Sequence, residues 1–281
     1  MERILNLPDL ASSRPAWPGP VVLVPTMGAL HSGHLALLHR ARELAGPDGT
    51  VAATIFVNPL QFDRPEDLKS YPKTLEADFA ACEKAGVDAV FAPRPGDFYA
   101  ADHSITVRES LLSQHLCGAT RPGHFDGVCT VVLKLFHLLR PTAAVFGKKD
   151  YQQLAIIRRM VRDLAVPVEI HGLDTIRESD GLALSSRNLR LTEAQRADAP
   201  RIRQALLAAR DIASTGEQRP EVYLDAARQH IERSSVGATI DYLQLVDRDT
   251  LQPVAKLVRP TVLATAVFYG EVRLIDNIEI G

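Results

Sequence analysis

Residues 21–34 read Val-Val-Leu-Val-Pro-Thr-Met-Gly-Ala-Leu-His-Ser-Gly-His, and a helical pattern opens behind them at Leu35. A short apolar run, a tight turn with glycines and a helix start describe one βα unit of a parallel sheet. Exposed N–H groups at a helix N-terminus attract anions, and histidines three apart share a helix face, so His31 and His34 can point at one bound phosphate. Gly28 and Gly33 let backbone approach such a group closely. The plainer alternative has His34 capping the helix and His31 satisfied within the loop. Zinc is a poorer reading, because the chain has no H-E-x-x-H pattern and no third ligand at a telling distance.

The alternation continues on the C-terminal side. Residues 51–57, 88–91, 143–146 and 168–171 are short apolar runs bounded by Gly, Pro or Asn, which are signals of buried strands. Helical patterns lie between them at 34–45, 75–85, 127–139 and 150–164. The clearest carries Val128, Val131, Val132, Leu135 and Leu139 on one stripe, and Pro141 ends it. Strands alternating with helices predict an α/β fold, a Rossmann-like parallel sheet with helices on both faces, over residues 1–175. In such sheets ligands sit beyond the carboxyl ends of the strands.

From residue 176 the pattern changes. Thr192-x-x-Gln195 reads as a capping box that opens a long helix to about Ala213, and a second helix is expected over 221–233. Strand-like runs follow at 239–246 and 261–269, and Gly270 turns the latter into 272–275 as a hairpin. These elements predict a smaller α+β C-terminal domain over 176–281. Pro15, Pro18 and Pro20 predict only an irregular lead-in.

The 281 residues are 46% hydrophobic and 23% charged with a formal net charge of -2, so nothing draws the whole molecule to nucleic acid or to an anionic membrane. No basic-then-apolar leader is visible, and no apolar stretch approaches the roughly 20 residues of a spanning helix. A cytoplasmic protein is expected. Cys82, Cys117 and Cys129 are odd in number and lack C-x-x-C spacing, which predicts buried thiols.

Three further loops carry chemistry. Asn58-Pro59-Leu60-Gln61 leaves a strand with two neutral amides suited to reading hydroxyl and carboxylate groups, or forms a proline turn with Asn first. Gly147-Lys148-Lys149-Asp150 also follows a strand. A lysine there offers phosphate a mobile charge, while Asp150 caps a helix or binds a magnesium-bridged nucleotide. Gln152 and Gln153 come next and are less easily explained as surface filler. Ser185-Ser186-Arg187 can wrap a triphosphate or form a solvated turn. There is no Walker A loop and no G-x-G-x-x-G fingerprint.

Taken together with Ser70-Tyr71-Pro72, Arg121-Pro122-Gly123-His124-Phe125 and Arg273-Leu274-Ile275-Asp276-Asn277, these stretches resemble the pantothenate synthetases in order and spacing over essentially the whole chain. The resemblance implies an AMP-forming ligase that joins pantoate to β-alanine with ATP and Mg2+, as a homodimer with a C-terminal lid domain. It implies ATP binding by Met27, Gly28, Ala29, Leu30, His31, Ser32, Gly33 and His34, with His34 as proton donor. Gly147, Lys148, Lys149, Asp150, Ile176, Leu184, Ser185, Ser186 and Arg187 would complete that site, and Lys149 would act with the histidines. Gln61 would contact both pantoate and β-alanine with Asn58 and Met27 nearby, and Gln153 would hold pantoate. Asp78 is a magnesium ligand or a solvated helix residue.

One position and one short stretch depart from the pattern. Lys148 stands where an acidic residue or an amide is usual, and Tyr99-Ala100-Ala101-Asp102-His103 replaces a Tyr-Pro-x-Gly turn. The alternatives are a nucleotidyltransferase of the same paired-histidine superfamily, which would leave AMP or CMP on its product, and an adenylate-binding module without turnover.

Overall fold

The computed structural model describes residues 1–63 and 65–281, which form two compact units. The first comprises Met1–Glu109, Pro122–Lys148 and Ile156–Asp174. Six strands cross it: β1 (Glu2–Ile4), β2 (Val21–Thr26), β3 (Thr50–Ile55), β4 (Ala89–Phe91), β5 (Ala143–Gly147) and β6 (Glu169–Leu173). They lie in the order β1-β4-β3-β2-β5-β6, every pair parallel.

Parallel strands need crossover connections, and helices supply them on both faces. Side chains alternate along the strands, so Val22, Val24, Val51, Ala53, Val90 and Val145 share one face. There they form a core with Leu38 and Ala41 of the Ser32–Ala45 helix and Phe79 and Cys82 of the Leu75–Lys84 helix. The alternate residues Leu23, Ala52, Phe91 and Ala144 are buried on the other face. The His124–Leu139 helix keeps Val128, Val132, Leu135 and Leu139 buried, as its stripe predicts.

The lead-in is more ordered than expected. β1 pairs with β4, and Asn6 caps a helix over Leu7–Ser13 by accepting the Asp9 N–H at 2.9 Å. A three-residue strand is too short to show a period, and the prolines at 15, 18 and 20 carry no signal of the Asn6 cap that precedes them. The strand expected to reach residue 57 ends at Ile55, and the helix behind the histidine loop starts at Ser32 rather than Leu35.

The second unit comprises Ser110–Arg121, Lys149–Ala155 and Thr175–Gly281. Its sheet is antiparallel in the order β7 (Ala238–Asp247), β8 (Thr261–Tyr269) and β9 (Val272–Ile280). Gly270, at φ 58°, makes the expected turn between β8 and β9, although β9 runs five residues beyond the hairpin read from the sequence. Two helices, Arg201–Ile212 and Pro220–Glu232, lay Ile202, Leu206, Tyr223, Ala227 and Ile231 against Leu243, Leu245, Leu263 and Leu274.

The capping box at Thr192 and Gln195 is present, but the long helix it was expected to open is two. Glu193–Asp198 stops before Pro200, which has no N–H to continue the ladder, and Arg201–Ile212 begins after it.

Cys82 and Cys129 are buried; burial, then nearby carboxylate charge, pushes their thiols up to about 11 and about 12. Cys117 corrects the expectation for all three: it is only partly buried, and its Sγ lies 3.9 Å from an Arg273 guanidinium nitrogen. No helix among the described residues is long and apolar enough to cross a membrane.

Candidate active site

β2 delivers the chain into residues 27–31 at its carboxyl end, where His31, in extended conformation, becomes the N-cap of the Ser32–Ala45 helix. Its Nδ1 accepts the Gly33 N–H at 3.1 Å, and His34 Nδ1 accepts the His31 N–H at 3.3 Å. The pair makes a reciprocal capping box from imidazoles instead of a hydroxyl and a carboxylate. The ring centroids are 4.1 Å apart. An Nδ1 that accepts a hydrogen bond cannot carry the ring proton, so each neutral ring holds it on Nε2, as a donor. The structural and the chemical readings of these histidines therefore describe opposite edges of the same rings.

The open row of N–H groups expected in this loop is largely closed. Gly28 N–H donates to Thr26 Oγ1 at 3.2 Å, and the Ala29 and Leu30 N–H groups donate to the two oxygens of Asp78 at 3.0 and 2.8 Å. His34 and Leu35 N–H both donate to the His31 carbonyl. Ser32 is left as the amide of residues 28–35 with no protein partner among the described residues. An anion at this turn meets that amide, the ring Nε2–H edges and the helix dipole. Asp78, read from the sequence as a metal ligand or a solvated residue, is neither exposed nor idle: it is 3% exposed, and Thr74 Oγ1 also donates to it at 3.0 Å.

β3 ends at the turn that holds Asn58 and Gln61. Asn58 is 1% exposed and spends its whole capacity inside the protein. Its Oδ1 accepts from Tyr99 OH at 3.0 Å and Leu60 N–H at 3.3 Å, and its Nδ2 donates to Gln61 Oε1 at 3.1 Å and the Gly127 carbonyl at 3.0 Å. A neutral amide has two donors and an acceptor oxygen with two lone pairs, so Asn58 aims Gln61 rather than offering itself. Gln61 Nε2 lies 2.9 Å from Met27 Sδ, which brings the expected substrate residues Gln61 and Met27 together. His124 Nδ1 is 2.7 Å from the Gln61 carbonyl and must carry the proton there, since a carbonyl only accepts.

Gly147 ends β5, the strand beside β2 where the sheet order reverses. That switch point is where parallel sheets bind ligands. Lys148 there is 2.6 Å from Asp174, just past β6, so the departure from the usual residue is neutralised locally. The hollow lined by Glu2, Trp17, Arg42, Asp48, Thr50 and Asp88 lies at the opposite, amino ends of the strands.

In the second unit Lys149 has a 19% exposed side chain with its Nζ 3.7 Å from Asp150 Oδ2, and its carbonyl accepts from Asn277 Nδ2 at 3.0 Å. The paired glutamines divide. Gln152 is buried and ties the Leu112 and His115 carbonyls and the Gly118 N–H to its amide, whereas Gln153 is partly exposed with no side-chain hydrogen bond among the described residues. Residues 176–184 close on themselves, Leu184 N–H donating to the Ile176 carbonyl at 3.0 Å, and Arg177 grips Asp276 with two bonds of 2.7 and 2.9 Å. Ser185 Oγ accepts the Arg187 N–H at 3.2 Å and caps the Ser186–Arg190 turn.

Sequence reasoning passed over Tyr99, His124 and Gly127 as working parts. A Cβ on Gly127 would stand 2.3 Å from the Leu60 carbonyl oxygen, so only glycine lets the His124–Leu139 helix abut the Gln61 turn.

The sequence profile described as Pantoate-beta-alanine ligase matches residues 5–279. The chain belongs to that family. A pantothenate synthetase of Akkermansia muciniphila is 59% identical over 260 residues, 92% of each chain. The crystal structure of the Thermus thermophilus pantothenate synthetase superposes with a TM-score of 0.92 at 45% identity, covering 99% of both chains. A pantoate-beta-alanine ligase from Francisella tularensis, solved with beta-gamma ATP and beta-alanine, superposes at 0.81 with 32% identity, covering 99% of this chain and 97% of that one. The family match thus spans every loop described above and both sheets apart from β1 and the last residue of β9.

Proposed function

We propose that the protein condenses pantoate with β-alanine, converting ATP to AMP and pyrophosphate through a pantoyl adenylate. The observation that carries this is the imidazole capping box at the β2 carboxyl end, next to β5 at the switch point, in a chain of the pantoate-beta-alanine ligase family. The Francisella relative bound to beta-gamma ATP and beta-alanine supports the choice of nucleotide and amine.

Pantoate's carboxylate attacks the α-phosphate, which brings two anions together. The Nε2–H groups of His31 and His34 stabilise the charge that develops, His34 passing its proton toward the leaving oxygen, and Lys149 and Arg187 bind the phosphates. Met27, Gly28, Ala29, Leu30, Ser32 and Gly33 shape the nucleotide turn, with Gly147, Lys148, Asp150, Ile176, Leu184, Ser185 and Ser186 as the remaining nucleotide contacts. Gln61 and Gln153 hold pantoate, and Gln61 also meets β-alanine, whose amine then attacks the acyl carbon and releases AMP. A magnesium ion held on the triphosphate would neutralise phosphate charge, and half-exposed Asp150 would support it better than buried Asp78. Residues 176–281 act as a lid that shields the adenylate from water. The enzyme works in the cytoplasm as a homodimer.

Incubation with ATP, magnesium, pantoate and β-alanine is expected to give pantothenate and free AMP, each substrate being required. A product that retains the nucleotide would sink the ligase reading. Sedimentation at twice the chain mass is the outcome expected for the dimer.

A further inference from the structure

The buried carboxylate of Asp78 lies under the histidine loop, and its contacts are with the chain itself. Ala29 sits at φ 51°, a left-handed conformation that a residue with a Cβ adopts at a cost, immediately after Gly28 at φ 83°. The amides of Ala29 and Leu30 both converge on Asp78, one per oxygen. Thr74 is the N-cap of the Leu75–Lys84 helix, yet its hydroxyl makes no capping bond and goes to Asp78 Oδ2 instead. Gly28 belongs to the same device, because a Cβ there would stand 2.8 Å from Asp78 Oδ2. With three donors on its roughly four acceptor sites and 3% exposure, the carboxylate is turned inward and engaged mainly by protein groups.

We infer that Asp78 is a positioning residue of the reaction, holding the turn at residues 28–30, in which Gly28 and Ala29 are left-handed, so that the capped imidazoles present Nε2–H to the nucleotide, and that it is not a ligand of magnesium. This rests on the ligase reading for its kinetic consequence alone; the loop geometry stands without it. Asp78→Asn keeps the shape but gives one loop amide a donor to face instead of an acceptor. The turn then loses an anchor while the fold retains its packing.

Two measurements test this. Amide hydrogen exchange at Ala29 and Leu30 is expected to be slow in the native protein and about tenfold or more faster in Asp78→Asn. Pyrophosphate–ATP exchange is expected to fall about tenfold or more in kcat with pantoate KM within about twofold, and raising magnesium does not restore it. Adding Ala29→Gly to Asp78→Asn recovers part of the lost rate, since glycine occupies the left-handed turn without the penalty. Thr74→Val, which keeps the charge and removes one donor, shifts both readouts in the same direction by less. Restoration by excess magnesium, or unchanged amide exchange at residues 29 and 30, overturns the inference; failure of the native protein to make pantothenate strikes the ligase reading and leaves the amide result intact.

Discussion

Each histidine has two edges, and the edges can be tested apart. His34→Ala removes both, and is expected to lower pyrophosphate–ATP exchange by a hundredfold or more, about 3–4 kcal/mol of transition-state stabilisation. It also removes a cap, which costs about 1 kcal/mol in thermal unfolding. His31→Asn retains an oxygen that can accept the Gly33 N–H while removing the imidazole, so its melting temperature is expected to stay near that of the native protein as exchange falls. Equal losses of stability and rate in both variants would make the pair a cap and nothing more. Lys149→Ala is expected to depress exchange, and Gln153→Ala to raise the Kd for pantoate measured by calorimetry. The sequence revealed these residue types and their spacing. Spacing could not show that Asn58 is saturated or that Asp78 turns inward, because those facts depend on Tyr99, Gly127 and Thr74, brought near by the fold.

At the level of elements, one glycine and one carboxylate carry measurable loads. Gly127→Ala would force the His124–Leu139 helix and the Gln61 turn apart, and overpacking of this kind costs about 1–3 kcal/mol. A lowered melting temperature together with weakened pantoate binding is the expected result, since Asn58 leans on the Gly127 carbonyl. Asp198, at the end of the Glu193–Asp198 helix, is partly buried, and this desolvation alone would raise its pKa. Hydrogen bonds from Ser234, Tyr269 and Arg201 at 2.8, 2.9 and 3.0 Å outweigh this and leave it below the usual carboxylate range. A pKa depressed in the folded state stabilises above the unfolded value, and the gain is lost as pH falls through the folded one. Asp198→Asn should therefore unfold at lower temperature than the native protein at pH 7, with a gap that narrows below about pH 4. Long amphipathic elements such as the His124–Leu139 helix were legible because their period repeats. β1 was not, being three residues long, and the break at Pro200 was hidden by apolar periodicity that continues on both sides of it.

For the whole molecule, the alternating strands and helices were enough to read a parallel sheet, and the change of pattern near residue 176 was enough to read an antiparallel one. What patterning could not convey is that residues 110–121 and 149–155 join the antiparallel unit. Leu112 and Leu116 in the first of these segments are 1% exposed, buried by contacts distant in sequence rather than by any local motif. The interleaving bears on how the chain comes off the ribosome. When residue 174 has emerged, all six parallel strands exist but none of β7, β8 and β9 does. At about 5–20 residues per second the early segments wait several seconds for their sheet, with apolar side chains uncovered. Nascent chains stalled between β6 and β7 should thus be the stage most prone to aggregation, a hazard written into the order of the strands and not into any single residue.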